Sequence, residues 1–295
     1  MEGLRTFVEY IKTEKRYSEH TVRAYSDDLN QFLFFINRED PNGSLLNVSR
    51  SDIRNWIMYL VKKGCSSRTL RRKLASLKSF YHFLLQRKLI EIDPSEGILL
   101  PKLDKKIPDF IKESSIDQLF NQNLFAQNFS GLRDKVVLEL FYATGMRLSE
   151  LTNLKKLDID LNKGEVKIHG KRSKERIVPL TKTVKTLLYK YLSHVQKQFN
   201  NLETDNLILT NKGEPAYPKM IQRLVHKYLL QATTLEKKSP HMLRHTFATH
   251  MLNKGADLNA VKELLGHANL AATEIYTHNT YEKLKLIYKQ AHPRA

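Results

Sequence analysis

The chain has 295 residues, with 49 Lys and Arg against 31 Asp and Glu, a formal net charge of +18. That length suits two medium domains, and such a basic surplus points to a polyanionic partner, nucleic acid ahead of an anionic membrane surface. An apolar fraction of 41 % excludes a wholly disordered basic protein, and the single cysteine, Cys65, excludes an intramolecular disulfide and a cysteine-built zinc site.

The opening segment, residues 1–15, is charged throughout and lacks the apolar core of a signal peptide, so a cytoplasmic protein is expected. The longest apolar runs, such as Phe32 to Ile36, are too short to span a bilayer, and no membrane partner is expected. A short helix is predicted from about Leu4 to Lys12. Ser18 is a candidate N-cap before a longer helix, on which Val22, Tyr25, Leu29, Phe32, Leu33 and Ile36 share one face. Asn42 and Gly43 mark a loop. Ile53, Trp56, Ile57, Leu60 and Val61 form the next stripe, stopped by Gly64. Ser66 or Ser67 then opens a helix carrying Leu70, Leu74, Leu77, Tyr81 and Leu84. Residues 1–92 thus read as a small helical bundle. The last helix also bears Arg68, Arg71, Arg72, Lys73 and Lys78. Cations at a helix N-terminus oppose the macrodipole, so either phosphate and base-edge contact or a solvated basic face accounts for them.

Residues 93–112, with Pro94, Pro101 and Pro108, read as a linker. The net charge is +7 before residue 107 and +11 after it, so both halves are expected to touch a nucleic acid. Residues 113–295 form the second domain. Helices are predicted near Ser115–Phe120 and Arg133–Tyr142, the latter stopped by Gly145. Val166 and Ile168 alternate with polar residues, Gly170 to Arg176 make a basic turn, and Ile177, Val178 and Leu180 follow, which predicts a β-hairpin. Further helices are predicted near 181–199, 219–233, His241–Asn253 and Asn259–Leu265, with Pro240 at a first helical position and Gly255 and Gly266 as stops. The fold class is mainly α: a helical bundle followed by an α-rich domain with a small antiparallel sheet.

The polar residues at element ends suggest chemistry. Arg147, Lys171, His241, Arg244, His267 and Tyr276 combine two guanidiniums, an amine, two imidazoles and a phenol, with no carboxylate cluster. A phosphodiester undergoing displacement fits this set. Guanidiniums clamp its oxygens, an imidazole or lysine moves protons, and a phenol attacks. Each residue alone has a plainer explanation: Tyr276 as packing, His267 as a helix-end cap, His241 and His245 as zinc ligands at i and i+4. The metalloprotease form of that last pattern needs Glu directly after the first His, where Met242 stands. No G-x-x-x-x-G-K-[ST] run supports nucleotide hydrolysis.

The motifs resemble a known family. Residues 143–151, ATGMRLSEL, resemble the first motif of the tyrosine recombinases, the phage-integrase family. Residues 241–250, HMLRHTFATH, resemble its H-x-L-R-H motif, and Leu265-Gly266-His267 with Ile275-Tyr276-Thr277-His278 resembles its last motif. The lysine turn departs from the family's Gly-Lys-Gly, with Arg172 replacing the second glycine. Residues 1–90 are similar to the family's core-DNA-binding domain, and residues 289–295 to the tail of bacterial Xer recombinases, near the XerD type.

The resemblance implies that Arg147 and Arg244 clamp the scissile phosphate, Lys171 protonates the leaving 5′ oxygen, His241 and His267 assist, and Tyr276 attacks to give a 3′-phosphotyrosine. Glu150 would support the site from behind. It further implies site-specific recombination of double-stranded DNA by a homo- or hetero-tetramer through a Holliday junction, with no metal or cofactor. Chromosome dimer resolution, with a second Xer-type recombinase and a septal DNA translocase as partners, is the implied process. A mobile-element integrase and a non-catalytic DNA-binding protein on the same fold are the alternatives. The segment 284–295 is apolar on the side of Leu284, Leu286, Ile287 and Tyr288; the family likeness implies docking on a neighbouring subunit in the assembly, with folding back on its own domain as the alternative in a single free chain.

Overall fold

Serines start the long N-terminal helices. Ser18, Ser49 and Ser66 stand in extended backbone and each accepts the N–H three residues on. They open α2 (Glu19–Ile36), α3 (Arg50–Lys62) and α4 (Ser67–Gln86) after a first helix α1 (Glu2–Thr13). Asp52 returns a bond to the Ser49 N–H, completing a reciprocal cap. A computed structural model describes residues 2–38, 43–100, 109–121, 124–170, 174–199, 204–266 and 278–294. The chain divides into units 1–106 and 107–295. The first unit's core is aromatic: Phe7 meets Phe80 edge-on at 5.3 Å, and Phe32 meets Trp56 at 4.9 Å.

A buried charge cluster joins α2 to α4. Asp28 is buried, and leaving its carboxylate unpaired there would cost several kcal/mol. Lys73 Nζ lies 2.8 Å from Oδ1, Ser76 Oγ donates at 3.1 Å, and the Arg72 guanidinium pairs with the same carboxylate. The Lys73 ammonium also stands 5.6 Å over Trp56. This corrects part of the sequence reading. Lys73 is buried in an interhelical ion cluster, Arg72 joins that cluster while keeping 44 % of its side chain exposed, and Arg68, Arg71 and Lys78 are exposed on α4.

The second unit runs α5 (Glu113–Asn121), α6 (Phe129–Thr144), α7 (Leu148–Thr152), a 3-10 turn at Lys156–Asp158, β1 (Ile159–Asp160), β2 (Glu165–His169) and β3 (Glu175–Pro179). It continues with α8 (Lys182–Gln198), α9 (Pro218–Ala232), α10 (Pro240–Asn253), α11 (Leu258–Leu265) and α12 (His278–Ala291). Helix α6 is buried nearly all round, as a central core helix must be, and packs against α8 and α10. The strands form an antiparallel sheet in the order β1-β2-β3, with Val166 opposite Val178 and Ile168 opposite Arg176. The hairpin is where its alternation predicts it, and β1 extends it by a short edge. The linker segment 101–108 lies outside the described residues; Ile98 belongs to the first core and Ile111 to the second. No described helix is long and apolar enough to cross a membrane.

In this single chain the closing segment packs on its own unit, the arrangement expected of a free chain. Leu284, Tyr288, Ala291 and His292 are buried, whereas Leu286 is 59 % exposed and leaves the apolar side. The Tyr288 hydroxyl donates to the Ala143 carbonyl at 2.9 Å, and His292 stacks on the Tyr288 ring at 4.9 Å. Burial pushes the His292 imidazole down to about 4, so it is neutral at pH 7. Arg294 pairs with Glu139 at 2.8 Å. Tyr288→Ala is therefore expected to cost about 3–5 kcal/mol, the usual penalty for truncating a buried aromatic. Urea unfolding of the purified protein measures it, and a loss below about 1 kcal/mol would show that the tail is not part of this core.

Candidate active site

The first motif sits on a turn that only glycine fits. Helix α6 ends at Gly145, in the left-handed region at φ +58, and a Cβ there would lie 2.6 Å from Phe247 and 2.7 Å from Leu265. The turn is thus pressed between α10 and the end of α11. Two residues on, Arg147 is extended and starts α7. Its N–H donates to Glu150 Oε2 at 2.7 Å and its Nη1 to Glu150 Oε1 at 2.7 Å.

Helix α11 supplies the anchor. The last carbonyls of a helix lack intrahelical partners and carry the negative end of its dipole. Three consecutive carbonyls here each accept from a different arginine. Arg176 Nε donates to Leu264 O at 2.8 Å, Arg244 Nη2 to Leu265 O at 2.7 Å, and Arg147 Nη2 to Gly266 O at 3.4 Å. Arg244 Nη1 also donates to Gly145 O at 2.5 Å, so it ties the first-motif turn to α11. Glu150 completes the cage by accepting Arg176 Nη1 at 3.0 Å and Nη2 at 2.7 Å. Both of its oxygens accept two bonds, which fills a carboxylate's capacity.

Charge follows from this geometry. Burial would push the Glu150 carboxyl up, but the hydrogen bonds and charge of Arg176, then the hydrogen bonds of Arg147, outweigh it and hold it at about 2. Burial, then the positive charges of Arg147 and Arg176, pull Arg244 down to about 10, with Glu150 opposing; it stays protonated at neutral pH. The cage holds three guanidiniums against one carboxylate. Arg147 keeps 30 % of its side chain exposed, while Arg176 and Glu150 are at 5 % and 4 %. The arrangement suits binding an anion at the Arg147 and Arg244 side.

His241 is exposed on the first turn of α10, which Pro240 opens. It borders a groove of about 700 Å³ whose wall includes Leu148 beside Arg147, and Lys219, Arg223, His226 and Lys227 of α9. Among the described residues no third His, Cys, Asp or Glu completes a metal site with His241 and His245. Lys171, His267 and Tyr276 lie outside the described residues. The described neighbours of Lys171 and His267 do converge on the cage. A Cβ on Gly170 would lie 3.9 Å from Glu150 Oε1, and one on Gly266 would lie 3.1 Å from Arg176 Nη1.

Arg176 is the residue that sequence reasoning missed, because its place in the chain reads as part of the basic turn. Strand alternation carried the signal: Arg176 and Val178 are two apart, opposite Ile168 and Val166, on the inward face of the hairpin.

Residues 109–283 match the phage integrase family, and residues 4–88 match the phage integrase N-terminal SAM-like domain. Tyrosine recombinase XerC of Chlorobaculum tepidum is 41 % identical over 317 residues, covering 99 % of this chain and 94 % of that protein. XerC of Bacillus subtilis is 39 % identical over 295 residues, covering 99 % and 96 %. The solved structure of XerH site-specific recombinase bound to its difH substrate has a TM-score of 0.71 at 23 % identity, covering 96 % of this chain and 83 % of that one, a likeness of fold. The chain belongs to the phage integrase family, the tyrosine recombinases. The Xer-type likeness of its tail agrees with these relatives; its XerD character does not, since the relatives are XerC.

Proposed function

We propose that this chain cuts and rejoins DNA at a specific site through a 3′-phosphotyrosine on Tyr276 and a Holliday junction. The observation that carries the reading is the pair of motif arginines, Arg147 and Arg244, held on adjacent carbonyls at one helix end. In this reading their remaining N–H groups hold the non-bridging oxygens of the scissile phosphate, where negative charge builds during displacement. The Tyr276 oxygen bonds to phosphorus as the bond to the 5′ oxygen breaks. Lys171 gives that oxygen its proton, and His241 and His267 take up the phenol's proton and hydrogen-bond the phosphate. The phosphotyrosine conserves the energy of the phosphodiester, so rejoining needs no high-energy cofactor.

The first unit binds DNA through the exposed side of α4, and the groove along α9 binds it beside His241. Four subunits act on two sites, alone or with a second Xer-type recombinase. The full-length likeness to XerC proteins supports a cytoplasmic role in resolving chromosome dimers, with a septal DNA translocase as activator.

A nicked suicide substrate carrying a site selected from chromosomal fragments tests the reading. The protein should become covalently attached to the 3′ side of the break, in the presence of excess EDTA. No adduct on any selected site, or an adduct only when a divalent metal is restored, would overturn it. DNA binding by the first unit has its own measurement. Replacing Arg68 and Lys78 by Gln should make the slope of log K against log[salt] shallower by roughly 0.9 for each phosphate that is no longer neutralised. An unchanged slope would leave the exposed side of α4 as a solvated basic face.

A further inference from the structure

We propose that Arg176 is a positioning residue for strand cleavage: it fixes Arg147, through Glu150, against the end of α11, and touches no substrate itself. The inference rests on the recombinase reading above and names a further residue of the same site.

An arginine on the inward face of a hairpin needs a reason. Arg176 is 5 % exposed and stands where the alternation of β2 and β3 places Val166, Ile168 and Val178. A guanidinium there is costly unless its donors are satisfied. Its three nitrogens meet three acceptors, both oxygens of Glu150 and the carbonyl of Leu264. Its flank is closed by Gly266, where a Cβ would come within 3.2 Å of Cδ and 3.1 Å of Nη1. Buried and engaged in this way, it is not placed to hold a phosphate.

Its partners explain what it does. The two-pronged contact with Glu150 fixes the plane of that carboxylate. The same carboxylate receives the N–H and Nη1 of Arg147, so fixing one orients the other. The bond to Leu264 holds the end of α11 three residues before His267. Strand β3 itself begins four residues after Lys171. One side chain therefore ties together Glu150 behind Arg147, the start of β3 and the end of α11.

Among the described residues, the charged groups facing Glu150 are Arg147 from its own helix, Arg176 from β3 and, with a weaker influence, Arg244 from α10. Removing Arg176 takes away the strongest counterweight to burial. Glu150 then protonates more readily, and a protonated carboxyl holds Arg147 less firmly. The loss should therefore grow as pH falls.

Arg176→Met and Arg176→Lys, compared with the wild-type protein, test this with the same suicide substrate between about pH 5.5 and pH 8, where the wild-type Glu150 stays ionised. Band shifts measure site binding, and circular dichroism measures folding. Arg176→Met should bind its site within a few-fold of wild type yet form the adduct about 10²-fold more slowly, the scale of a small misplacement in an active site. Its deficit should deepen toward the acid end. Arg176→Lys should recover part of the rate and lose the extra acid sensitivity, because it keeps the charge but cannot bridge both oxygens. Wild-type cleavage by Arg176→Met overturns the proposal. So does a parallel loss of binding and cleavage that is independent of pH and not relieved by Lys, which marks a purely structural role. If Arg176→Met does not fold, Arg176→Lys decides: slower cleavage with normal binding supports the proposal, and wild-type cleavage overturns it. Failure of the wild-type protein to form any adduct would strike the recombinase reading instead.

Discussion

Tyr276→Phe is expected to abolish covalent attachment to a nicked site while leaving affinity for that site within a few-fold of wild type. The two effects separate because different atoms carry them. The hydroxyl is the nucleophile, and without it no bond to phosphorus forms. Affinity comes from cations along the DNA backbone, and the chain carries +18 of formal charge spread over both halves. Tyr281, five residues on, is the control. Its hydroxyl is pushed well up by burial and by the neighbouring Glu165 and Glu282 carboxylates, so it is a poor source of phenolate. An adduct that persists in Tyr276→Phe and vanishes in Tyr281→Phe would reassign the nucleophile.

Arg244→Ala should lower the rate of adduct formation by about 10²–10³-fold, the cost of removing one donor from a site of developing negative charge. A second effect accompanies it. Arg244 satisfies the carbonyls of Gly145 and Leu265, and losing those bonds leaves two buried acceptors bare, at about 1–3 kcal/mol each. The variant should therefore melt at a lower temperature as well as cleave slowly. Arg244→Lys distinguishes the effects. It restores the charge but not the fork that spans both carbonyls and phosphate, so it should regain stability more than rate. A rate loss under tenfold for Arg244→Ala in folded protein would remove Arg244 from the phosphate clamp.

Much of this protein is legible before folding because the signals are short-range. A serine cap reads the N–H three residues ahead, an apolar stripe repeats every three or four residues, and a glycine stop needs only its own backbone. For that reason Ser18, Ser66, Gly145 and Gly266 mark real helix ends, and the pattern at 165–179 is a real hairpin. The candidate residues Arg147 and Arg244 are likewise visible in local motifs, and the fold brings both to one helix end.

What only the tertiary structure decided depends on partners distant in the chain. Lys73 looks like part of an outward basic face, but Asp28, more than forty residues earlier, draws it inward, and the exposed Arg72 bonds to the same carboxylate. In the single chain the tail closes on Ala143 and Glu139 because their carbonyl and carboxylate await donors at that point of the core. Arg176 looks like one more cation in a basic turn. Its role follows from a carboxylate 26 residues before it and a carbonyl 88 residues after it. Periodicity and capping are properties of a few consecutive residues, so the sequence displays them. The pairing of buried charges is chosen by packing, because a low-dielectric interior admits a guanidinium only where folding has already placed its acceptors.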